Sequence, residues 1–109
     1  MVSVPLYQAK AELFRILGHP IRIRVLELLQ DGSRPVSELL QELDIEASSL
    51  SQQLAVLRRA GIVVSTRRGT SVTYELAASD VAELMRAARR FLTEVLAGQG
   101  QLLAELTGS

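Results

Sequence analysis

The chain has 109 residues, of which 48% are hydrophobic; this fits one domain spanning 1–109 with a real core, although a domain of this size buries only about two-thirds of its unfolded surface. It contains no cysteine, which excludes disulfides, thiolate metal sites and a cysteine nucleophile. Twelve basic and twelve acidic residues give a net charge of zero, which by itself argues against a nucleic-acid partner.

The first two predicted elements are helices separated by a glycine. Pro5 suits a helix start, and apolar residues follow at helical spacing until Gly18, which predicts a helix over 5–17. Pro20 suits the first position of a second helix, over about 20–30, because its missing N–H costs nothing there. The single histidine, His19, would then cap this helix, which we favour over a role as ligand or pH switch. The buried stripe is predicted to contain Ile21, Val25, Leu28 and Leu29.

Two further helices are predicted before the pattern changes. Ser37 can cap a short third helix of two or three turns, with Glu38 in its first turn and an inward face of Leu39, Leu40 and Leu43. A fourth helix is predicted over 47–60, closed by Gly61 at the position after the C-cap. Its inward face would contain Leu50, Leu54 and Leu57.

The β-branched runs from Ile62 to Thr66 and from Ser71 to Leu76 predict a hairpin over 62–76 with Gly69 in its turn. Asp80 and Glu83 then resemble a capping box at the start of a last helix over 80–97. Gly98 and Gly100 interrupt the apolar pattern, which resumes at Leu102, Leu103 and Leu106. Whether the helix continues to 106 or a separate short helix follows is left open.

This order of elements predicts a mainly α fold with a β-hairpin wing, the winged helix-turn-helix, in which the fourth helix lies in the major groove of DNA. Its polar face offers short hydrogen-bonding groups, and between Ala47 and Tyr74 every charged residue is an arginine, directly after an acidic segment of Glu38, Glu42, Asp44 and Glu46. Serine and glutamine suit base edges and phosphates, whereas arginines at the helix end suit phosphates or an internal salt bridge. The predicted DNA-binding residues are Ser48, Ser49, Ser51, Gln52, Gln53, Arg58, Arg59, Arg67, Arg68 and Thr70.

Three stretches resemble elements of the ArsR/SmtB family of small prokaryotic repressors. The family's second helix is similar to "LGHPIRIRVLELL", its recognition helix to "SSLSQQLAVLRRAGIV", and its wing to "RRGTSVTYEL". The resemblance covers roughly 13–96. It implies a homodimer whose first and last helices pack across a two-fold axis, with packing within one subunit as the alternative. The interface residues would be Leu13, Phe14, Leu17, Leu84, Ala88, Phe91, Leu92 and Val95.

The chain departs from the metal-sensing members of that family. Pro35 and Ser37 stand where those members carry a cysteine pair. On the last helix Asp80 matches one ligand position, but Ala82, Thr93 and Leu96 occupy the others. One carboxylate cannot make a tetrahedral zinc site, so neither a metal nor another cofactor is expected.

The resulting prediction is a sequence-specific transcriptional regulator, expected to act as a repressor, that binds an inverted-repeat operator in double-stranded DNA as a homodimer through 47–60 and 62–76. A winged-helix module that binds a protein instead of DNA is the alternative, because the acidic segment would repel phosphate if it faced it. No nucleophile-and-base constellation suggests an enzyme. The start lacks a secretory signal and no apolar run approaches the roughly 18 residues of a membrane span, so we expect a cytoplasmic protein. A small-molecule or protein effector, the operator sequence, and repression versus activation are left open.

Overall fold

The computed structural model describes residues 3–106 and, for 101–104, the backbone alone. Five helices and three strands follow one another in the predicted order, with one additional strand. The helices are α1 (Leu6–Leu17), α2 (Pro20–Leu28), α3 (Val36–Leu43), α4 (Ala47–Arg59) and α5 (Ser79–Leu106), and the strands are β1 (Arg34–Pro35), β2 (Val63–Arg68) and β3 (Ser71–Leu76). This arrangement confirms the predicted winged helix-turn-helix.

The junction between α1 and α2 follows the prediction. His19 has an extended backbone, and its Nδ1 accepts a hydrogen bond from the Ile21 N–H at 3.2 Å. Pro20 occupies the first helical position. The capping role of His19 is therefore confirmed, and α2 ends at Leu28, about two residues earlier than predicted.

The segment before α3 differs from the prediction. Arg34 and Pro35 form a short strand that pairs with Tyr74 and Thr73 of β3, giving a three-stranded antiparallel sheet in the order β1-β3-β2. The prediction that Ser37 caps α3 is wrong, because the helix already begins at Val36, with Pro35 as an N-cap that makes no side-chain hydrogen bond.

The end of α4 fixes the direction in which the wing leaves the helix. Gly61 has a φ of 76°, its N–H donates to the Arg58 carbonyl at 3.0 Å, and the Ile62 N–H donates to the Leu57 carbonyl at 3.0 Å. These two bonds make a Schellman motif, and Ile62 and Leu57 are both buried. Because Ile62 immediately precedes β2, the wing starts from a fixed point on the core.

The core lies between α2, its neighbouring helices and the sheet. α2 contacts α3, α4 and α5, while α4 packs against β2. As predicted, Leu50, Leu54 and Leu57 of α4 are buried, and so is Leu39 of α3. Leu26, which was not assigned to the inner stripe of α2, is also fully buried. One side of α4 is thus held by leucines, which leaves its other side exposed.

The last helix is continuous. It begins at Ser79, one residue before the predicted start, and runs for 28 residues through Gly98 and Gly100 to Leu106. Neither Asp80 nor Glu83 makes a side-chain hydrogen bond within residues 3–106, so the predicted capping box does not form there. The predicted apolar side chains Leu102 and Leu103 lie outside what the structure describes.

Candidate nucleic-acid interface

The recognition helix α4 presents a polar face to solvent at its N-terminal end. Ser48, Ser49, Ser51 and Gln52 are all exposed, while the leucines on the opposite side are buried. The helix follows Glu46, which gives no side-chain cap, so the first backbone N–H groups of α4 have no partner from a capping side chain. Backbone N–H groups at a helix N-terminus can donate hydrogen bonds to phosphate oxygens.

Gln53 differs from the other predicted DNA-binding residues of this helix. It is half-buried, and its Oε1 accepts a hydrogen bond from the Nε of Arg22 at 2.8 Å. Arg22 lies on α2, which is 31 positions away in sequence. The prediction grouped Gln53 with freely exposed residues; the structure shows instead that one end of its amide is already bonded within the protein.

The two wing arginines lie on opposite faces of the hairpin. Arg67 pairs with Val72 and Arg68 pairs with Ser71, so both belong to β2 and not to the turn, which contains only Gly69 and Thr70. Side chains alternate between the two faces of a strand. Arg67 accordingly borders the space next to α4, whereas Arg68 borders a separate hollow beside Thr66 and Thr73.

An open cleft lies between α4, the wing and the start of α3. We call it the interface cleft and define it by the serine, threonine and arginine residues that line it: Ser37, Ser51, Arg58, Ser65, Arg67, Thr70 and Ser71. Arg58 faces into this cleft, while its neighbour Arg59 is exposed but does not line it. The structure therefore brings one arginine of each predicted pair to the same concavity.

The charge around the interface cleft is positive. In the described part of the chain, neither the two arginines of α4 nor the two of the wing form a salt bridge, so the internal salt bridge left open for Arg58 and Arg59 is not observed there. The acidic segment does not line the cleft. Its first member, Glu38, instead lies 3.8 Å from Arg34.

A second surface, formed by α1 and α5, is apolar and exposed. Phe14 is 58% exposed, Phe91 65%, Leu92 53% and Leu96 64%, and Ala88 is also exposed. Of the other predicted interface residues, Leu13, Leu84 and Val95 are half-buried. Leu17 is only 5% exposed and belongs to the protomer's own core, which leaves little of its side chain for a subunit interface.

Among residues 3–106 there is no cluster of three or more histidine, cysteine, aspartate or glutamate residues that could hold a metal ion. No helix in that range is both long and apolar enough to cross a bilayer.

Known proteins with similar sequences and structures are helix-turn-helix regulators of transcription. The sequence profile of the family described as "Helix-turn-helix domain" matches residues 17–66. The uncharacterized HTH-type transcriptional regulator Rv0081 of Mycobacterium tuberculosis is 50% identical over 107 residues, which cover 97% of this chain and 94% of the relative. Its crystal structure superposes with a TM-score of 0.81 at 52% identity, covering 89% of this chain and 98% of that one.

More distant structures have the same architecture. The transcriptional repressor BigR from Xylella fastidiosa superposes with a TM-score of 0.74 at 35% identity, covering 78% of this chain and 87% of the other. The homodimeric winged helix-turn-helix domain Mb0332 from Mycobacterium bovis, a possible ArsR-family regulator, gives a TM-score of 0.76 at 27% identity, covering 88% and 94%.

The fold, the polar recognition helix and the basic cleft define a winged helix-turn-helix regulator of transcription, a class of DNA-binding protein. The chain belongs to the ArsR/SmtB family of these regulators.

Proposed function

We propose that the protein binds an inverted-repeat operator as a homodimer and represses transcription, with α4 in the major groove and the wing against the adjacent backbone. The observation that carries this proposal is the interface cleft, where Arg58 and Arg67 converge beside the exposed Ser51. A concave surface with cationic groups at its wall and short polar groups on the helix suits a phosphate backbone and the groove next to it.

The residues of this surface divide into two roles. Ser48, Ser49 and Gln52 are exposed in the first turns of α4, where they can approach base edges. Arg58 and Arg67 line the cleft at a distance from the helix start, which suits phosphate oxygens. Thr70 also lines the cleft, and Arg59 and Arg68, which are exposed outside it, are proposed as further backbone contacts.

Assembly into a dimer is supported by how little of α1 and α5 is covered in the protomer. The radius of gyration is 17.4 Å, compared with about 13 Å for a compact domain of this length. Exposed phenylalanines and leucines on both helices form a surface that a second copy of the chain would cover. Homodimeric assembly is known for the Mb0332 domain, whose fold is similar.

A two-fold dimer determines what the operator looks like. Each protomer presents one recognition helix, so the two helices would meet successive major grooves about 34 Å apart, or about 10 base pairs between half-site centres. The symmetry of the protein then requires an inverted repeat.

Selection from random DNA duplexes by the full chain tests this proposal. We expect enrichment of an inverted repeat with that spacing. Arg58→Ala and Arg67→Ala should weaken binding to all sequences. Each should also reduce the slope of log affinity against log salt concentration by about one, because one phosphate contact is lost. Arg24→Ala provides the matched control, because Arg24 is an exposed arginine that lies 3.5 Å from Glu27 and does not line the cleft.

Two outcomes of this experiment would overturn the proposal. The first is that no sequence is enriched. The second is that Arg58→Ala and Arg67→Ala have the same salt dependence as Arg24→Ala. Either result, together with a stoichiometric protein partner recovered without nucleic acid, would instead support the protein-interaction module.

Two other expectations belong to the same proposal. A regulator of this family acts where the chromosome is, so we place the protein in the cytoplasm of a prokaryotic cell. Family membership also favours regulation over catalysis as its role.

A further inference from the structure

Arg22 connects three helices, α1, α2 and α4. It lies on α2 and is half-buried. Its Nε donates to Oε1 of Gln53 on the recognition helix at 2.8 Å, and its Nη1 donates to the backbone carbonyl of Ile16 on α1 at 3.0 Å. One planar guanidinium therefore connects α1 and α4 through α2.

The bond to α1 is made at a place where the helix needs a partner. Ile16 is in the last turn of α1, where backbone carbonyls have no N–H donor within the helix. A cationic donor there also interacts favourably with the helix dipole. Phe14, on the exposed apolar face proposed for dimerisation, is two residues before Ile16. Arg22 is consequently bound to the helix that carries part of the proposed dimer surface.

The bond to α4 determines how the Gln53 amide is oriented. Arginine has only donors, so the group that faces Arg22 must be the carbonyl oxygen of Gln53, and the NH2 group points elsewhere. Ser49 lies one helical turn before Gln53 and is exposed. Gln53 therefore bonds to Arg22 inside the protein and lies on the same side of α4 as Ser49, which we assign to DNA contact.

We propose that Arg22 is a positioning residue for DNA recognition: it fixes the recognition helix relative to α1 and holds the Gln53 amide so that its NH2 group serves as a donor to DNA. This inference rests on the proposed function. Because Arg22 acts through the orientation of α4, its loss should lower the preference for operator over unrelated DNA more than it lowers binding to DNA in general.

The test uses the full chain and compares five variants: Arg22→Ala, Arg22→Lys, Gln53→Ala, the double variant Arg22→Ala/Gln53→Ala, and Arg24→Ala. The operator is the sequence enriched by the unaltered protein. Affinity for this operator and for an unrelated duplex of equal length is measured at one salt concentration, and dimer formation and thermal unfolding are measured in parallel. Arg24→Ala removes the same charge from the same helix, so it corrects for the general loss of attraction to DNA.

We expect Arg22→Ala to reduce the ratio of operator to unrelated affinity by about tenfold or more relative to Arg24→Ala, as the loss of charge-assisted hydrogen bonds predicts. The double variant should have the same ratio as Gln53→Ala or Arg22→Ala alone, whichever is lower, because the two residues act as one unit. Arg22→Lys keeps the charge but not the planar fork that serves two acceptors at once, so its ratio should be intermediate.

The results separate this inference from the function on which it rests. If the unaltered protein selects an operator but Arg22→Ala and Arg24→Ala have the same ratio in folded dimers, the inference alone is overturned. If the two single losses multiply in the double variant, Arg22 does not act through Gln53. Should Arg22→Ala fail to fold, Arg22→Lys decides, since an unchanged ratio in that variant contradicts the need for the fork. No operator for the unaltered protein overturns both proposals.

Discussion

Phe91 provides a quantitative test of the proposed dimer. It is 65% exposed on α5, and at about 150–250 Å² for a phenylalanine this leaves about 130 Å² of apolar surface on each copy. Covering that surface on both copies contributes up to about 6 kcal/mol at about 25 cal/mol per Å². If half of it is covered, Phe91→Ala still costs about 3 kcal/mol, so the dimer dissociation constant should rise by about a hundredfold or more.

Sedimentation equilibrium over a range of protein concentrations measures this change. Val64→Ala is the matched control, because Val64 is 44% exposed but lies on the wing, away from α1 and α5. We expect the control to keep the dissociation constant of the unaltered protein. If Phe91→Ala dimerises as strongly as the control does, then this face of α5 is not the subunit interface.

Three other substitutions test the core, a helix cap and base recognition. Leu57→Ala empties a fully buried position and should lower the free energy of unfolding by about 2–5 kcal/mol in a urea titration; a loss below about 1 kcal/mol would contradict the packing described. His19→Ala removes the acceptor for the Ile21 N–H and should cost about 1 kcal/mol in the same assay, whereas an unchanged midpoint would mean that the cap contributes nothing. Gln52→Ala should relax preference at one position of each half-site by about 1–3 kcal/mol, measured with single-base operator variants; equal loss on every sequence would indicate a phosphate contact.

Most of the fold could be predicted because local chemistry marks its boundaries. His19 and Pro20 start α2, and Gly61 ends α4 with a left-handed backbone, as their residue types require. The strand Arg34–Pro35 could not be predicted, since two residues carry no periodic pattern and the pairing partner lies almost 40 positions later in β3. Ser37 was misassigned as a cap because serine favours that position in general, while here proline precedes the helix.

The candidate site was predictable only in part. Residue types and their order placed the polar face on α4, and the strand period would already have separated Arg67 from Arg68. The hydrogen bond between Gln53 and Arg22 could not be predicted, because the two residues are distant in sequence and both residue types are also common on solvent-exposed helix faces. The burial of Leu17 in its own protomer could not be predicted, because an apolar stripe on a helix has the same spacing whether it meets its own subunit or another one.

The glycines inside α5 have a consequence for the energy of the free protomer. Gly98 and Gly100 are helical, and nothing lies within 4 Å of where a side chain would start, so no close contact requires glycine there. Each one disfavours the helix by about 1 kcal/mol relative to alanine. We therefore expect the last three turns of α5 to be less stable in a separate protomer than in the proposed dimer. We expect the helical content of the protein to increase with its concentration, and replacing both glycines with alanine should remove that dependence.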